Sequence, residues 1–211
     1  MRPLALASAV LVVACIAGSA FARGDAVRAG CATVPKPKLG ARTGSKSYPP
    51  LDKKKTYDVV VQTNCGSFTI KLAVRISPHT TASFANLVRH GFFDRTIFHR
   101  IVPGFVIQGG DPTGTGEGGP GYTTVDRPPA STRYTLGLVA MAKAPAQAPG
   151  TSGSQFFVVT GANVGLSPDY AVLGSVTSGL DVVARIGKLG SVATEQPTRV
   201  VEIEKATLHV H

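Results

Sequence analysis

The sequence predicts a mainly β protein, a closed eight-stranded antiparallel barrel capped by two α-helices, and three observations support this fold class. Eight short runs have the alternation of apolar residues, or the β-branched and aromatic composition, that is typical of strands. Most connections between these runs are too short to join parallel strands, so we expect antiparallel pairing. An eight-stranded sheet can close on itself with its interior filled by side chains, and the two predicted helices could cover its open ends.

The individual elements follow in chain order within a domain predicted at residues 56–211. Ser77-Pro78 begins the first helix, with serine as the N-cap and proline at the first helical position, and Gly91 ends it. The second helix is predicted over Leu180–Leu189. The strands are expected at Tyr57–Thr63, Phe68–Val74, Ile97–Ile101, Phe105–Gly109, Leu136–Ala142, Gln155–Thr160, Ala171–Val176 and Arg199–Val210.

Residues 1–22 have the features of a signal peptide. Met1-Arg2 is a basic start, Leu4–Ala17 is apolar, and Ala20-Phe21-Ala22 has small residues at the outer positions of a cleavage site. A rival processing site of the lipoprotein kind would leave a lipidated Cys15 at the new terminus. A retained membrane anchor is the third alternative, although the apolar run is short for a membrane span. Processing at either site predicts an extracytoplasmic protein, secreted or anchored to a bacterial cell envelope.

Residues 23–55 are predicted to be a basic linker that contains proline and glycine. They carry nine Lys or Arg residues and two Asp residues, a net charge of +7, whereas residues 56–211 carry only +2. Because the folded part is nearly neutral, we do not expect nucleic acid as a partner. The basic segment is either a solvated linker or a region attracted to anionic lipids or wall polymers, so attachment to an envelope could come from this tail or from a lipid on Cys15.

Two cysteines, Cys31 and Cys65, remain after the signal region. An even number of cysteines in an oxidising compartment favours a disulfide between them, which would attach the N-terminal segment to the first predicted hairpin. Two free thiols are the alternative.

Three patterns resemble other kinds of site, and their context argues against each. The glycines of residues 114–119 match a dinucleotide-binding fingerprint, but the glycines and proline that follow cannot open a helix. His99, Asp111 or Asp126, and Ser152 follow the chain order of trypsin-like proteases, but the flanking residues of His99 and Ser152 differ from that family. The histidines lack the spacing of metal ligands, so no metal ion or cofactor is expected.

The most informative residues combine one guanidinium, several aromatic rings and two amides. Arg100 lies on a predicted strand, and Phe98 is expected on the same face because side chains alternate with a period of two. These residues suit holding an apolar ring beside a polarised amide, and they include no nucleophile with its base. The set is Phe98, Arg100, Phe105, Gln108, Gln155 and Phe157.

At these residues the chain resembles the cyclophilin family of peptidyl-prolyl cis–trans isomerases. The matching motifs are Phe98–Phe105, Gln108–Asp111, Met141-Ala142 and Gly153–Phe157, and the loop at residues 114–122 is similar to that of bacterial secreted members. The likeness runs from about Tyr57 to the C-terminus. It implies an eight-stranded antiparallel barrel with two helices, in agreement with the pattern of elements above.

The resemblance also implies the roles of individual residues. Arg100, Phe105 and Gln108 correspond to catalytic residues. Val106, Lys143 and Tyr170 stand where well-studied relatives have methionine, asparagine and histidine. The expected substrate-binding residues are Phe98, Val106, Gly116, Ala142, Lys143, Ala144, Gln155, Phe157, Leu166 and Tyr170.

The implied activity is isomerisation of X-Pro bonds in proline-containing unfolded or flexible polypeptides, without a cofactor. Such a protein would assist the folding of extracytoplasmic proteins, and a monomer is expected. The alternative is a proline-peptide-binding module or holdase chaperone with little turnover.

Overall fold

The structure is a computed structural model that describes residues 30–211. The predicted signal peptide, the Cys15 processing site and the first residues of the predicted linker lie outside the described residues. Within residues 30–211, no helix has the length and apolar character needed to cross a membrane.

A nine-stranded antiparallel sheet forms the body of the protein, together with two helices and a separate two-stranded sheet. The helices are α1 (Pro78–Arg89) and α2 (Leu180–Gly187). The strands are β1 (Tyr57–Thr63), β2 (Gly66–Leu72), β3 (Thr96–Ile97), β4 (Arg100–Val102), β5 (Val106–Gly109), β6 (Thr124–Val125), β7 (Leu138–Met141), β8 (Thr151–Ser152), β9 (Phe156–Val159), β10 (Val172–Ser178) and β11 (Glu202–Val210). The spatial order in the large sheet is β3-β11-β1-β2-β10-β7-β9-β5-β4, and β6 pairs with β8.

The prediction of a closed eight-stranded barrel is wrong, because the sheet curls without closing and has β3 and β4 as its two edges. The predicted strand Ile97–Ile101 is interrupted at Phe98-His99, which belong to neither short strand. β3 pairs with β11, whereas β4 pairs with β5. The chain therefore passes from one edge of the sheet to the other through these two residues, and no hydrogen-bonded ladder joins the edges.

Strands β4, β5, β7 and β9 alternate between two faces with the period of two that pleated strands require. One face contributes to the main hydrophobic core, where buried aliphatic and aromatic side chains each stabilise the fold by about 1.5–3 kcal/mol. Its residues are Ile101, Ile107, Val139, Met141, Phe156 and Val158. The opposite face contributes to a smaller cluster that includes Val106, Ala140, Phe157 and Val159.

Helix α1 begins at Pro78 as predicted, but its N-terminus is capped differently from the prediction. Ser77 is the N-cap residue, yet its side chain makes no capping hydrogen bond. The Thr80 N–H instead donates to Asp126 Oδ2 at 2.6 Å. Because Asp126 directly follows β6, this hydrogen bond ties the start of the helix to the small sheet.

Residues 30–55 contain no helix or strand, and they pack on the domain. Cys31 and Cys65 form a disulfide, which attaches the segment to the turn between β1 and β2. Next to it, Asn64 Nδ2 donates to the Ala32 carbonyl at 2.6 Å. The described part of the predicted linker is therefore held against the domain, while the division of the chain at residue 55 stays a prediction.

Candidate active site

A row of side chains crosses the outer face of the sheet beside its β4 edge. Arg100 lies opposite Gln108, Gln108 lies opposite Phe157, and Phe157 lies opposite Ala140. Directly opposed residues of antiparallel strands project from the same face. The pairing register therefore aligns a guanidinium, an amide and an aromatic ring over three neighbouring strands.

Hydrogen bonds run in one direction through the polar half of this row. Arg100 Nη1 donates to Gln108 Oε1 at 3.5 Å, and Gln108 Nε2 donates to Gln155 Oε1 at 3.0 Å. Gln155 Nε2 donates to the carbonyls of Gly116 and Gly118, at 2.7 and 3.0 Å. Because both hydrogens of Gln155 Nε2 are used, its oxygen is directed toward Gln108, and the orientation of each amide follows from its neighbour.

The loop that supplies these carbonyls is organised by Asp111. Its carboxylate accepts hydrogen bonds from the Thr113 N–H and hydroxyl, both at 2.7 Å, and from the Gly116 N–H at 2.6 Å. Burial acts to raise the pKa of Asp111, but hydrogen bonds from Thr113 and from the N–H groups of Gly116 and Gly118 outweigh it, so the pKa lies below its ordinary value. The ionised carboxylate therefore holds the loop in the position that Gln155 contacts.

Arg100 is also paired with an acidic residue that the sequence did not indicate. Arg100 Nε donates to Glu195 Oε2 at 2.8 Å, and the Ile101 N–H donates to the Glu195 carbonyl at 2.8 Å. Glu195 has φ +58°, a left-handed conformation that is uncommon for a residue with a side chain. The guanidinium carbon lies 5.9 Å from the centroid of the Phe105 ring. Glu195 is 95 residues from Arg100 in the chain, so no local pattern could have identified it.

Six of the predicted site residues meet in a second hydrophobic group, which we call the outer cluster. Its buried members are Val106, Tyr134, Ala140, Phe157 and Val159, and its partly buried members are Phe105, Leu138, Ala142, Val164, Leu166 and Tyr170. The Phe157 and Tyr170 rings lie edge to face, with centroids 5.4 Å apart. Because several members are only partly buried, the cluster presents an apolar surface that a small ring could contact.

Tyr134 is a member of the outer cluster that the sequence did not indicate, and it supports Tyr170 through hydrogen bonds. Its hydroxyl donates to the Tyr170 carbonyl at 2.7 Å and accepts from the Tyr170 N–H at 3.0 Å. Burial raises the pKa of Tyr134 to about 12, so the hydroxyl stays neutral and keeps both hydrogen bonds. In the sequence, a single tyrosine ahead of a strand resembles an ordinary core residue. Only the fold shows that its hydroxyl binds the backbone of Tyr170.

The predicted role of Phe98 as a pocket residue is wrong. Its side chain is fully buried in the main core, where its ring lies 6.4 Å from that of Phe68 and 6.0 Å from that of Phe156. The prediction assumed a continuous strand through Arg100, but the strand is interrupted immediately after Ile97. Phe98 therefore lies on the side of the main core, while Arg100 lies on the outer face of the sheet with Gln108.

A groove of about 1110 Å³ continues the site beyond the outer cluster. Six predicted site residues contribute to its lining: Gln108, Gly116, Ala142, Lys143, Ala144 and Gln155. Ala142 borders both the groove and the outer cluster. Lys143 Nζ donates to the Gln147 carbonyl at 3.0 Å and lies 5.7 Å from the centroid of the Tyr170 ring. Apolar surface, amides and the edge guanidinium therefore form one continuous region.

The residues that follow the order of a serine protease do not form a proton relay. Ser152 is buried, and its hydroxyl donates to the Gly150 carbonyl at 3.3 Å. Both ring nitrogens of His99 are buried without a hydrogen-bond partner among residues 30–211. Burial lowers the pKa of His99, and the charge of Arg100 acts in the same direction against that of Asp111. The described residues also contain no group of three metal-binding side chains.

Comparison with known proteins agrees with this geometry. The model of the family described as "Cyclophilin type peptidyl-prolyl cis-trans isomerase/CLD" matches residues 58–208. The chain belongs to the cyclophilin family. It is a cyclophilin-type peptidyl-prolyl cis–trans isomerase, and the match begins after the N-terminal segment that packs on the domain.

Similar cyclophilins come from fungi, a plant and a protist. Peptidyl-prolyl cis-trans isomerase-like 1 of Gibberella zeae is 39% identical over 155 residues, which are 72% of this chain and 94% of that protein. The isomerase CYP18-2 of Arabidopsis thaliana is 37% identical over 69% of this chain and 90% of its own length. A crystal structure of a Cryptosporidium parvum cyclophilin matches with a TM-score of 0.67 and 31% identity, over 73% of this chain and 98% of that one. These relatives do not support the expected bacterial secreted subgroup.

Proposed function

We propose that Arg100, Phe105 and Gln108 carry the isomerisation in this cyclophilin, and that the outer cluster holds the proline ring. The observation that carries this assignment is the register that places Arg100, Gln108 and Phe157 side by side. A charged donor thereby stands beside the apolar surface of the outer cluster. Val106 and Leu166 contribute further apolar contacts in the same cluster.

The chemistry requires stabilisation of a twisted amide. An X-Pro bond isomerises slowly because rotation removes amide resonance, over a barrier of about 18–20 kcal/mol. In the twisted state the proline nitrogen becomes pyramidal and more basic. A hydrogen bond from Arg100 to that nitrogen is stronger in the twisted state than in either planar state, which lowers the barrier. Arginine suits this role because its guanidinium stays charged and presents fixed donors.

The groove residues are proposed to hold the peptide on either side of the proline. Gln108 and Gln155 present amides toward the peptide backbone, and Gly116 and the segment Ala142–Ala144 line the same groove. The Cryptosporidium parvum cyclophilin was also solved in the presence of the dipeptide Ala-Pro, in a structure with a TM-score of 0.66 to this one. That result supports a proline-containing polypeptide as the ligand here.

The assignment is tested by measuring isomerisation of an Ala-Pro peptide with the full chain, either by nuclear magnetic resonance exchange or by a protease-coupled assay. We expect Arg100→Ala to lower kcat/KM by about 10²–10³-fold, the usual cost of removing one donor from a transition-state site. Arg133→Ala is the matched control, because Arg133 is exposed and its side-chain hydrogen bonds within residues 30–211 go to the carbonyls of Ser131 and Thr132. Peptide binding without turnover in the wild type would favour the holdase alternative, and equal activity of Arg100→Ala would refute the role of Arg100.

We further propose an extracytoplasmic location, in which the protein assists the folding of exported polypeptides. The basic and apolar start of the chain supports it, and so does the Cys31–Cys65 disulfide, because disulfides persist in oxidising compartments. The intact mass of the mature protein from cells tests the proposal. Removal of residues 1–22 or a lipidated Cys15 is expected, whereas an unprocessed reduced chain in the cytoplasm would contradict it.

A further inference from the structure

We propose that Lys46 and Tyr48, in the N-terminal segment, form a subsite that selects an acidic side chain near the proline of the substrate. The proposal rests on the proposed function of the neighbouring site, because the same groove connects the two. Both residues precede the region 58–208 that matches the family, so the subsite is added to the domain by this chain's own extension.

The segment that carries these residues is held closely on the domain. The Arg42 guanidinium donates to the Asp94 carbonyl at 2.8 Å, just beyond the end of α1, and the Gly44 N–H donates to the Pro120 carbonyl at 2.9 Å. A Cβ at Gly44 would lie only 2.7 Å from Leu87 Cδ2, so a side chain at this position would require either Leu87 or the segment to shift. These contacts fix the backbone immediately before Lys46.

Tyr48 forms a wall of the groove together with an aromatic residue of the domain. The rings of Tyr48 and Tyr122 are tilted against each other with centroids 6.2 Å apart. The Tyr122 hydroxyl lies 3.0 Å from Ser83 Oγ on α1, and burial raises the pKa of Tyr122. Tyr48 is also partly buried against the main core. The wall therefore has a defined position before any peptide arrives.

The charges of the groove favour a carboxylate. Lys46 and Lys143 are its cationic lining residues, and Glu117 is its one acidic lining residue within the described part of the chain. The Lys143 ammonium is already directed to the Gln147 carbonyl, whereas Lys46 is exposed and forms no ion pair with any of residues 30–211. A peptide side chain with a carboxylate would find its partner at Lys46.

The subsite is within reach of the proline position. Gln108 and Gln155 line the same groove as Lys46 and Tyr48, and Gln108 also adjoins Arg100. An extended peptide advances about 3.3 Å per residue, so a residue a few positions from the proline can cross the groove while the proline contacts the outer cluster. The occupant is therefore part of the same polypeptide that is isomerised.

The test uses the full chain and a set of Ala-Pro peptides that carry Glu, Gln or Lys at each of the first few positions on either side of the proline. We expect one position at which Glu gives about 2–5-fold higher kcat/KM than Gln, the effect of an exposed ion pair, and this preference should fall at high salt. Lys46→Glu should reverse the preference toward Lys. Lys38→Glu is the control, because it makes the same charge change at an exposed position of the same segment outside the groove.

The outcomes separate this subsite from the proposed function. Equal profiles for the wild type, Lys46→Glu and Lys38→Glu on an active enzyme would refute the subsite alone. Affinities of the same peptides, measured by calorimetry, give a readout that does not need turnover. Affinity for Glu peptides that depends on Lys46, without any isomerisation, would support the subsite and refute the proposed catalytic role. Tyr48→Ala should weaken binding of the Glu and Gln peptides alike, because it removes the shared wall.

Discussion

Glu195 offers the sharpest test of how Arg100 is positioned. Its carboxylate accepts from Arg100 Nε at 2.8 Å, while Nη1 of the same guanidinium faces Gln108. The two contacts limit rotation of the guanidinium plane, and the guanidinium carbon lies 5.9 Å from the centroid of the Phe105 ring in the outer cluster. We expect Glu195→Ala to let the Arg100 guanidinium rotate and so to lower kcat/KM. Glu195→Gln should retain most of the activity, because the amide oxygen can still accept a hydrogen bond from Arg100 Nε.

The expected sizes of these effects on stability and activity follow from the solvent exposure of the two side chains. The side chains of Arg100 and Glu195 are 32% and 49% exposed, so solvent screens their attraction and the pair contributes only about 0.2–1 kcal/mol to stability. Loss of one orienting hydrogen bond in the transition state should cost about 1 kcal/mol, which is roughly a 5-fold lower kcat/KM. The unfolding midpoint should therefore hardly change while kcat falls and KM stays nearly constant.

Steady-state isomerisation of an Ala-Pro peptide, followed over a range of peptide concentrations, separates kcat from KM for the two variants. Urea unfolding of the same preparations reports stability. If Glu195→Ala has the kcat of the wild type, the ion pair does not position Arg100. If Glu195→Gln loses as much as Glu195→Ala, the negative charge matters and the hydrogen-bond geometry does not.

Three further predictions concern the surroundings of the site. Tyr134→Phe should lower the free energy of unfolding by about 1–3 kcal/mol and raise KM, because it leaves the Tyr170 N–H and carbonyl without their partner; urea unfolding and kinetics measure this. The pKa of His99 is lowered in the folded state, so below about pH 6.5 the unfolded chain binds a proton at this histidine more readily than the folded chain does. The free energy of unfolding should therefore decrease as pH falls below about 6.5, and it should decrease less in His99→Gln. Reduction of Cys31–Cys65 should lower stability by roughly 2–4 kcal/mol in thermal unfolding; no change would show that the disulfide does not stabilise the fold.

Much of the fold could be predicted from local pattern. β1 was predicted with its observed bounds, and α1 begins at the predicted Ser77-Pro78. The topology at Phe98-His99 could not be predicted, because the run Ile97–Ile101 contains no glycine or proline that would mark a break in a strand. β3 pairs with β11, which is distant in sequence, whereas β4 pairs with the adjacent strand β5. The closed barrel was predicted from a count of eight strands, which treated Ile97–Ile101 as a single strand.

The candidate site likewise contains some residues that the sequence predicted and some that it could not predict. Arg100, Gln108 and Phe157 lie together because they belong to neighbouring strands whose register follows from alternation. Glu195 and Tyr48 approach the same region from segments without regular secondary structure, where sequence carries no periodic information about direction. Such residues are found only when the positions of the loops are known.

The interruption at Phe98-His99 has a direct consequence for the catalytic residue. In a closed barrel, β4 would have a hydrogen-bonded neighbour on both sides, and the backbone of the segment around Glu195 would have no access to it. As the edge of a curled sheet, β4 pairs only with β5, so the Ile101 N–H is free to bind the Glu195 carbonyl. That backbone contact brings the Glu195 carboxylate to Arg100. An edge strand exposes unpaired groups that proteins usually cover, and here the covering segment also supplies the acidic partner of the guanidinium.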